Sequence, residues 1–249
     1  MTTFSSWQLQ VFDAWINAQQ DQRSGFANVR HSFPTPRFYP PTLFIQFLDG
    51  VALTTITLSL SLASLSFGKK LASLCAPRFR RPPFLPPFLR YGLSGCSILI
   101  YAATLITYFF LPSSYRHKVT AALIFSFPGT LTRYLLSTAL NPRFKALPVG
   151  TLVANIFGTA LLAAFRVLLS TPSKPPQNSC DILQGLSDGY CGCLTTISTF
   201  AAEISDLRFW KACRYALISW ILGQVVMLLI FGSSLWTGNV EKQVTCVFR

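Results

Sequence analysis

The stretch Gly185–Glu203 reads GLSDGYCGCLTTISTFAAE and is long enough to form most of a transmembrane helix, since a hydrocarbon core of about 30 Å requires roughly 20 residues. Its three glycines are followed by a run of hydroxyl side chains, and glycine costs about 1 kcal/mol per helical residue relative to alanine. We therefore expect a helix that unwinds midway and restarts. At membrane depth, the free carbonyls and helix N-termini of such a break can bind ions. The alternative is a flexible span without function.

The composition indicates an all-α, polytopic membrane protein, because 51% of the 249 residues are hydrophobic and only 12% are charged. The net charge of +13 comes from Lys and Arg scattered between apolar segments. This pattern indicates loops beside a membrane and excludes a basic nucleic-acid-binding domain. Cys191 and Cys193 have no second Cys/His pair nearby, so we interpret them as packing residues and the seven cysteines as no secreted disulfide framework.

Apolar segments divide the rest of the chain. An apolar stripe at spacings of three and four predicts a first helix of about five turns within residues 1–20. A basic, proline-rich loop is expected at 66–90. The predicted spans are Thr42–Leu65, Leu93–Leu111, Val119–Leu140, Leu147–Leu169, the broken span, and Tyr215–Trp236.

Several polar and small residues lie inside these spans. Arg133 is expected to satisfy backbone carbonyls of another helix, in preference to handling ions. Gly150, Ala154 and Gly158 form a small-residue face suited to close helix contact. Asn155 is either an interhelical hydrogen-bonding residue or a neutral donor for an anion. The spans contain no paired carboxylates, metal-ligand cluster or nucleotide motif, so we expect neither an enzyme nor an ATP-driven pump.

Three motifs together resemble the Fluc/CrcB fluoride channel family, and in particular the second domain of the fungal fluoride exporters called FEX. They are GTLTRYLLS at 129–137, PVGTLVANIFGTALL at 148–162 and the stretch at 185–203. The element TTFSSW at Thr2–Trp7 resembles the TTISTF at 195–200, about 193 residues earlier.

The resemblance implies inverted-repeat four-helix domains with a broken third helix, joined by a connector transmembrane helix. Residues 1–70 would be the end of a first domain, 71–117 the basic loop and connector, 118–236 a complete second domain and 237–249 a polar tail. The first three helices of the first domain are missing, so we expect a gene model that begins at an internal methionine, in preference to a natural remnant. A full-length form would act as a single-chain pseudo-dimer.

The resemblance also implies the site residues. Each pore of the family combines the first phenylalanine of one TTFSTF element with the second of the other, which here pairs Phe4 with Phe200 and Trp7 with Ile197. One aromatic pair is thus kept and the other lost. The implied fluoride pore residues are Phe4, Asn155, Ser198, Thr199 and Phe200, with Arg133, Gly150 and Gly158 in structural roles. A central sodium ion, with no other cofactor, would be bound by the backbone carbonyls of Thr2, Gly192 and Thr195.

The implied function is passive export of fluoride through a multi-pass protein of the plasma membrane, in contact with lipid and without nucleic acid. The alternative is a non-conducting assembly subunit or truncated paralogue. Residues 66–90 contain six Lys and Arg against three in 21–41. Positively charged loops favour the cytosol, so we expect 66–90 to be cytosolic and the tail from Thr237 to lie outside the cell.

Overall fold

The computed structural model describes residues 3–16, 43–75, 86–110, 118–144, 147–173 and 175–246. Within these residues the regular structure is helical, without strands. The helices are α1 (Phe4–Trp15), α2 (Leu43–Cys75), α3 (Pro87–Phe110), α4 (Lys118–Leu140), α5 (Val149–Leu169), α6 (Gln177–Gly185), α7 (Ile197–Asp206) and α8 (Phe209–Met227). Helix α6 continues through a π-helical stretch, Leu186–Cys191, into a last turn, Gly192–Leu194, and α8 continues through Leu228–Gly232 and Ser233–Trp236.

In the described part of the chain, four helices are long and apolar enough to cross a membrane: Gln46–Cys75, Pro87–Phe110, Val149–Leu169 and Phe209–Trp236. This confirms an all-helical, polytopic architecture. The expected loop at 66–90 is wrong in part, because α2 continues to Cys75. Residues 69–75 are mostly strong helix formers and contain no proline. Helix α3 then begins with Pro87 at its first position, where the missing N–H costs no helical hydrogen bond.

The predicted break exists, but it does not lie at the glycines. The chain remains helical through Gly185, Gly189 and Gly192 and becomes extended only at Thr195 and Thr196, whose ψ angles are 149° and 128°. Thr196 caps the restarted α7 by accepting a hydrogen bond from the Thr199 N–H at 3.3 Å. The hydroxyl run that follows the glycines therefore ends one helix and starts the next.

The glycines serve close helix packing instead. A Cβ added at Gly189 would stand 2.2 Å from the Ala122 carbonyl oxygen, and one at Gly129 would stand 2.4 Å from the Tyr190 carbonyl oxygen. Helix α4 and the π-helical stretch thus approach backbone to backbone, which only glycine permits at these positions.

Helices α1 and α7 begin beside each other and extend in opposite directions. Their first residues meet through a hydrogen bond of 2.9 Å between the Ser5 and Thr195 hydroxyls. At the far end of α1, Phe12 contacts Phe231 near the end of α8. At the far end of α7, Asp206 pairs with Lys69 near the end of α2. Both helices also share one capping device, because Thr3 accepts from the Ser6 N–H as Thr196 accepts from Thr199.

A buried cluster surrounds this junction and confirms the stripe predicted for the first helix. Helix α1 has 12 residues and is shorter than the five turns expected. The cluster consists of Phe4, Trp7, Val11, Ile197, Phe200 and Tyr215. The two helices that start at the break are therefore held together mainly by aromatic and aliphatic contact.

The chain after α8 is fastened to the rest of the protein by a disulfide between Cys180 and Cys246. Two backbone hydrogen bonds support it, from Glu241 to the Ser170 carbonyl at 2.8 Å and from Thr245 to the Leu169 carbonyl at 3.0 Å. No disulfide was predicted from the sequence, in which Cys180 and Cys246 are 66 positions apart. The tail is therefore packed against the end of α5 and the start of α6.

Replacing Gly189 with alanine is expected to destabilise the protein by about 1–3 kcal/mol, because overpacking a tight contact forces the backbones apart. Gly192→Ala is the matched control: its added Cβ would meet only Thr3 Cγ2 at 3.9 Å, an ordinary contact. Thermal unfolding of both purified variants in detergent measures the effect. Equal melting temperatures for the two variants would contradict the close packing of α4.

Candidate functional site

An aromatic pair lies where the two opposed helices begin. The rings of Phe4 and Phe200 are fully buried, with centroids 5.4 Å apart and planes inclined at 74°. Tyr215 of α8 adds a third ring, 5.2 Å from Phe200. An edge-to-face pair turns the positive edge of one ring toward the negative face of the other. The pair predicted to be retained is thus brought together by the fold.

The positions predicted to form the other pair are also buried, but they contain no second phenylalanine pair. Trp7 is 1% exposed and Ile197 is 7% exposed, and both belong to the cluster around the break. Trp7 meets Phe4 edge to face at 5.4 Å. Its indole therefore packs onto the retained pair.

Asn155 of α5 binds the backbone of the break through both ends of its amide. Its Oδ1 accepts from the Thr196 N–H at 2.9 Å, and its Nδ2 donates to the Thr196 carbonyl at 3.3 Å. The side chain is fully buried. These contacts match the interhelical role that the sequence left open, since they satisfy the Thr196 N–H, which the break removes from the preceding helix.

Glu203 at the end of the quoted motif forms a network that the sequence analysis missed. One carboxylate oxygen accepts from the Thr151 hydroxyl and the other accepts from the Tyr215 hydroxyl at 2.8 Å. The network fixes the Tyr215 ring beside Phe200. A carboxylate within apolar spans is a functional candidate by default, and that signal was present in the sequence.

The remaining predicted residues occupy different surroundings. Ser198 and Thr199 are exposed and hydrogen-bond to the Thr196 hydroxyl. Arg133 is half-buried on α4 and forms no hydrogen bond to a carbonyl of the described residues. Thr2 lies outside the described residues.

Glycines of α5 permit two close contacts. A Cβ at Gly150 would stand 2.7 Å from the Leu136 carbonyl oxygen, and one at Gly158 would stand 2.3 Å from Thr195 Cγ2. Gly158 thus lets α5 reach the break itself. Gly150 brings the start of α5 against α4.

A cavity of about 370 Å³ opens beside the break. Hydroxyl groups from the start of α1 line it together with Gly192, Arg166 and, from the tail, Val244. Leu169 and Val244, which pack with the Cys180–Cys246 disulfide, also line the cavity. Among the described residues, no group of three His, Cys, Asp or Glu could hold a metal ion.

Comparison with known proteins places the chain in a family. Residues 120–232 match the family described as "CrcB-like protein, Camphor Resistance (CrcB)". Fluoride-specific ion channel FluC of Tolumonas auensis is 31% identical over 120 residues, which cover 46% of this chain and 90% of the channel. The chain belongs to the CrcB family. No solved structure matches it.

Longer fungal proteins of the family also align with the chain. Fluoride export protein 1 of Neurospora crassa is 35% identical over 217 residues, covering 81% of this chain and 41% of that protein. Fluoride export protein 1 of Saccharomyces cerevisiae is 30% identical over 182 residues, covering 67% and 48%. The chain thus spans less than half the length of these two relatives.

Replacing Asn155 with leucine is expected to cost about 1–3 kcal/mol of stability for each peptide group of Thr196 that loses its partner. Asn239→Leu is the control, because Asn239 is exposed in the tail and bonds only to the nearby Thr237 hydroxyl. Thermal unfolding in detergent separates the two. An Asn155→Leu protein as stable as the Asn239→Leu protein would show that the contacts with Thr196 do not hold the break.

Proposed function

We propose that the chain conducts fluoride passively across the plasma membrane and so exports it from the cell. The observation that carries this proposal is the buried Phe4–Phe200 pair at the point where two opposed helices begin, in a member of the CrcB family. The relatives are named fluoride export proteins and fluoride-specific channels. No step of the proposal requires ATP.

The chemistry of the site suits a small, strongly hydrated anion. A pore for fluoride must replace its water with donors without presenting a full positive charge that would trap it. The positive edges of Phe4, Phe200 and Tyr215 supply weak electrostatic stabilisation of this kind. Because Glu203 accepts from the Tyr215 hydroxyl, the ring is oriented by a group outside the aromatic cluster.

The opposed directions of α1 and α7 support a single-chain pseudo-dimer. In this arrangement one chain supplies both helices that start at the break, and lipid covers the apolar outer faces. Exposed apolar side chains on α3, such as Ile98, Ile100 and Phe110, fit a lipid-facing surface.

A sodium ion at the break is a further part of the proposal, and two carbonyls fit it. In a continuous helix, the Gly192 carbonyl would accept from the Thr196 N–H and the Thr195 carbonyl from the Thr199 N–H. Both N–H groups donate elsewhere, to Asn155 Oδ1 and to Thr196 Oγ1. These carbonyls would hold the ion, which would neutralise their dipoles. A melting temperature that is unchanged when N-methylglucamine replaces sodium would argue against it.

The disulfide supports the orientation expected from the charge distribution. Disulfides form and persist in oxidising compartments, which include the cell exterior. Cys246 belongs to the tail, so the tail would lie outside, and Lys69 near the opposite end of the fold would face the cytosol. The loop charges and the disulfide therefore favour the same orientation.

Fluoride efflux from liposomes that contain the purified chain tests the function. With potassium and valinomycin present, a fluoride electrode is expected to record rapid efflux, and chloride-loaded liposomes provide the control for selectivity. A folded and incorporated protein that releases neither ion would contradict conduction and favour the non-conducting assembly subunit.

Phe200→Ile is expected to reduce fluoride efflux by at least tenfold, because it removes one ring of the retained pair while keeping an apolar side chain. Ile197→Phe is the control at the corresponding position of the other pair, and little change is expected. Efflux is measured in the same liposomes. Normal efflux through Phe200→Ile would rule out the pair as part of the pathway.

An epitope tag placed after Arg249 is expected to stain on intact cells. A membrane-impermeant reductant should also be needed before Cys180 and Cys246 react with an impermeant maleimide, and the double variant Cys180→Ser, Cys246→Ser is the control for labelling of other cysteines. Staining that requires permeabilisation would reverse the orientation.

A further inference from the structure

Two glutamines from opposite ends of the sequence meet in the interior of the protein. Gln8 of α1 is fully buried and Gln224 of α8 is 6% exposed. The Gln224 Nε2 donates twice, to Gln8 Oε1 at 2.6 Å and to the Gln8 carbonyl at 3.1 Å. Among the described residues, the Nε2 of Gln8 has no hydrogen-bond partner. Exchanging the oxygen and nitrogen of Gln8 would bring two NH2 groups together, so the bond to Gln224 fixes which end is free.

This amide pair lies between two aromatic layers. On α1, Phe4, Gln8 and Phe12 are spaced four residues apart and share one face. Phe4 meets Phe200 on one side of Gln8, and on the other side Phe12 meets Phe231 at 5.9 Å. The pair is thus the polar layer within an otherwise aromatic face of α1.

Helix α8 is shaped to accept the Gln8 side chain. A Cβ at Gly223 would stand 2.8 Å from Gln8 Cδ, so the amide occupies space that exists because residue 223 is glycine. Ser219, one turn earlier on α8, is 1% exposed, and its hydroxyl also lacks a partner. An amide donor on α1 and a hydroxyl donor on α8 are therefore buried without a partner among the described residues.

Buried donors without partners are uncommon, because each costs about 1–3 kcal/mol. If each glutamine donated to the other, both amides would be used, yet here Gln224 makes both donations. Both donors, an amide NH2 and a hydroxyl, are uncharged, and among the described residues the ion pairs Lys69–Asp206 and Arg166–Asp13 lie outside this layer. A neutral donor can bind an anion without trapping it.

We propose that the side-chain NH2 of Gln8, with the Ser219 hydroxyl on the facing helix, binds fluoride one helical turn beyond the Phe4–Phe200 pair. This inference rests on the proposed function and adds a second coordination site to it. The free oxygen of Gln224 accepts from a water molecule that accompanies the ion. Gln224 positions Gln8 by holding its oxygen, so that the NH2 faces the ion.

Gln8→Leu tests the site, with Gln10→Leu as the matched control, because Gln10 is exposed on the same helix. Gln8→Met provides a second, unbranched replacement should leucine prevent folding. Efflux of fluoride from liposomes is expected to fall at least tenfold in the Gln8 variants and to stay unchanged in Gln10→Leu. The rise in melting temperature when sodium fluoride replaces sodium chloride should also be smaller in the Gln8 variants.

The outcomes separate this inference from the function on which it rests. If the unaltered chain conducts no fluoride, the proposed function fails. If the unaltered chain conducts and a folded Gln8 variant conducts equally well, the second site is overturned and the layer holds water alone. Efflux that falls while fluoride stabilises the variant as much as the unaltered chain would show a structural role and would also overturn the site.

Discussion

The peptide groups of Thr195 and Thr196 impose the main constraint on this fold, because a helix interrupted at membrane depth must find other hydrogen-bond partners for its backbone. Asn155 binds both the N–H and the carbonyl of Thr196, and the Thr196 hydroxyl accepts from the Thr199 N–H. The break is therefore stable only when α5 presents a buried amide to it. That requirement fixes the depth of α5 relative to α6 and α7.

Close packing follows from this requirement. Asn155 can reach Thr196 only if α5 lies against the break, and Gly158, one turn further, provides the space by leaving room for Thr195. Gly185 and Gly189, in turn, let α4 approach α6 and its π-helical continuation closely. Van der Waals contact between backbones replaces the hydrophobic driving force that lipid removes between helices. The small residues thus support the hydrogen bonds of the break.

Local patterns in the sequence predicted the parts of the fold that depend on local chemistry. The spacing of Phe4, Trp7, Val11 and Phe12 correctly identified the buried face of α1, and apolar length identified the four described helices that are long and apolar enough to cross a membrane. The resemblance paired Phe4 with Phe200, a pairing that spacing alone does not indicate. The position of the break was missed because glycine has two uses, in flexible backbone and in close helix contact. Only the structure decides between them: at Gly189, an added Cβ would collide with the Ala122 carbonyl oxygen.

Contacts between residues on different helices could not be predicted from local sequence patterns. The Cys180–Cys246 disulfide and the Glu203 network require knowledge of which ends of which helices meet. Glu203 was nevertheless visible as a carboxylate within an apolar region, a signal strong enough to justify a functional role.

The two repeated elements, which begin at Thr2 and Thr195, differ in several residues. When the two elements are aligned with Thr2 on Thr195, Trp7 corresponds to Phe200 and Gln10 corresponds to Glu203. Glu203 is bonded to Tyr215 beside the aromatic pair, whereas Gln10 is exposed. Since Trp7 packs against Phe4, its bulk supports the retained pair from the side where a second pair would otherwise form. Two different residues thus account for the change: Ile197 removes one ring of the second pair, and Trp7 packs its ring against the retained pair.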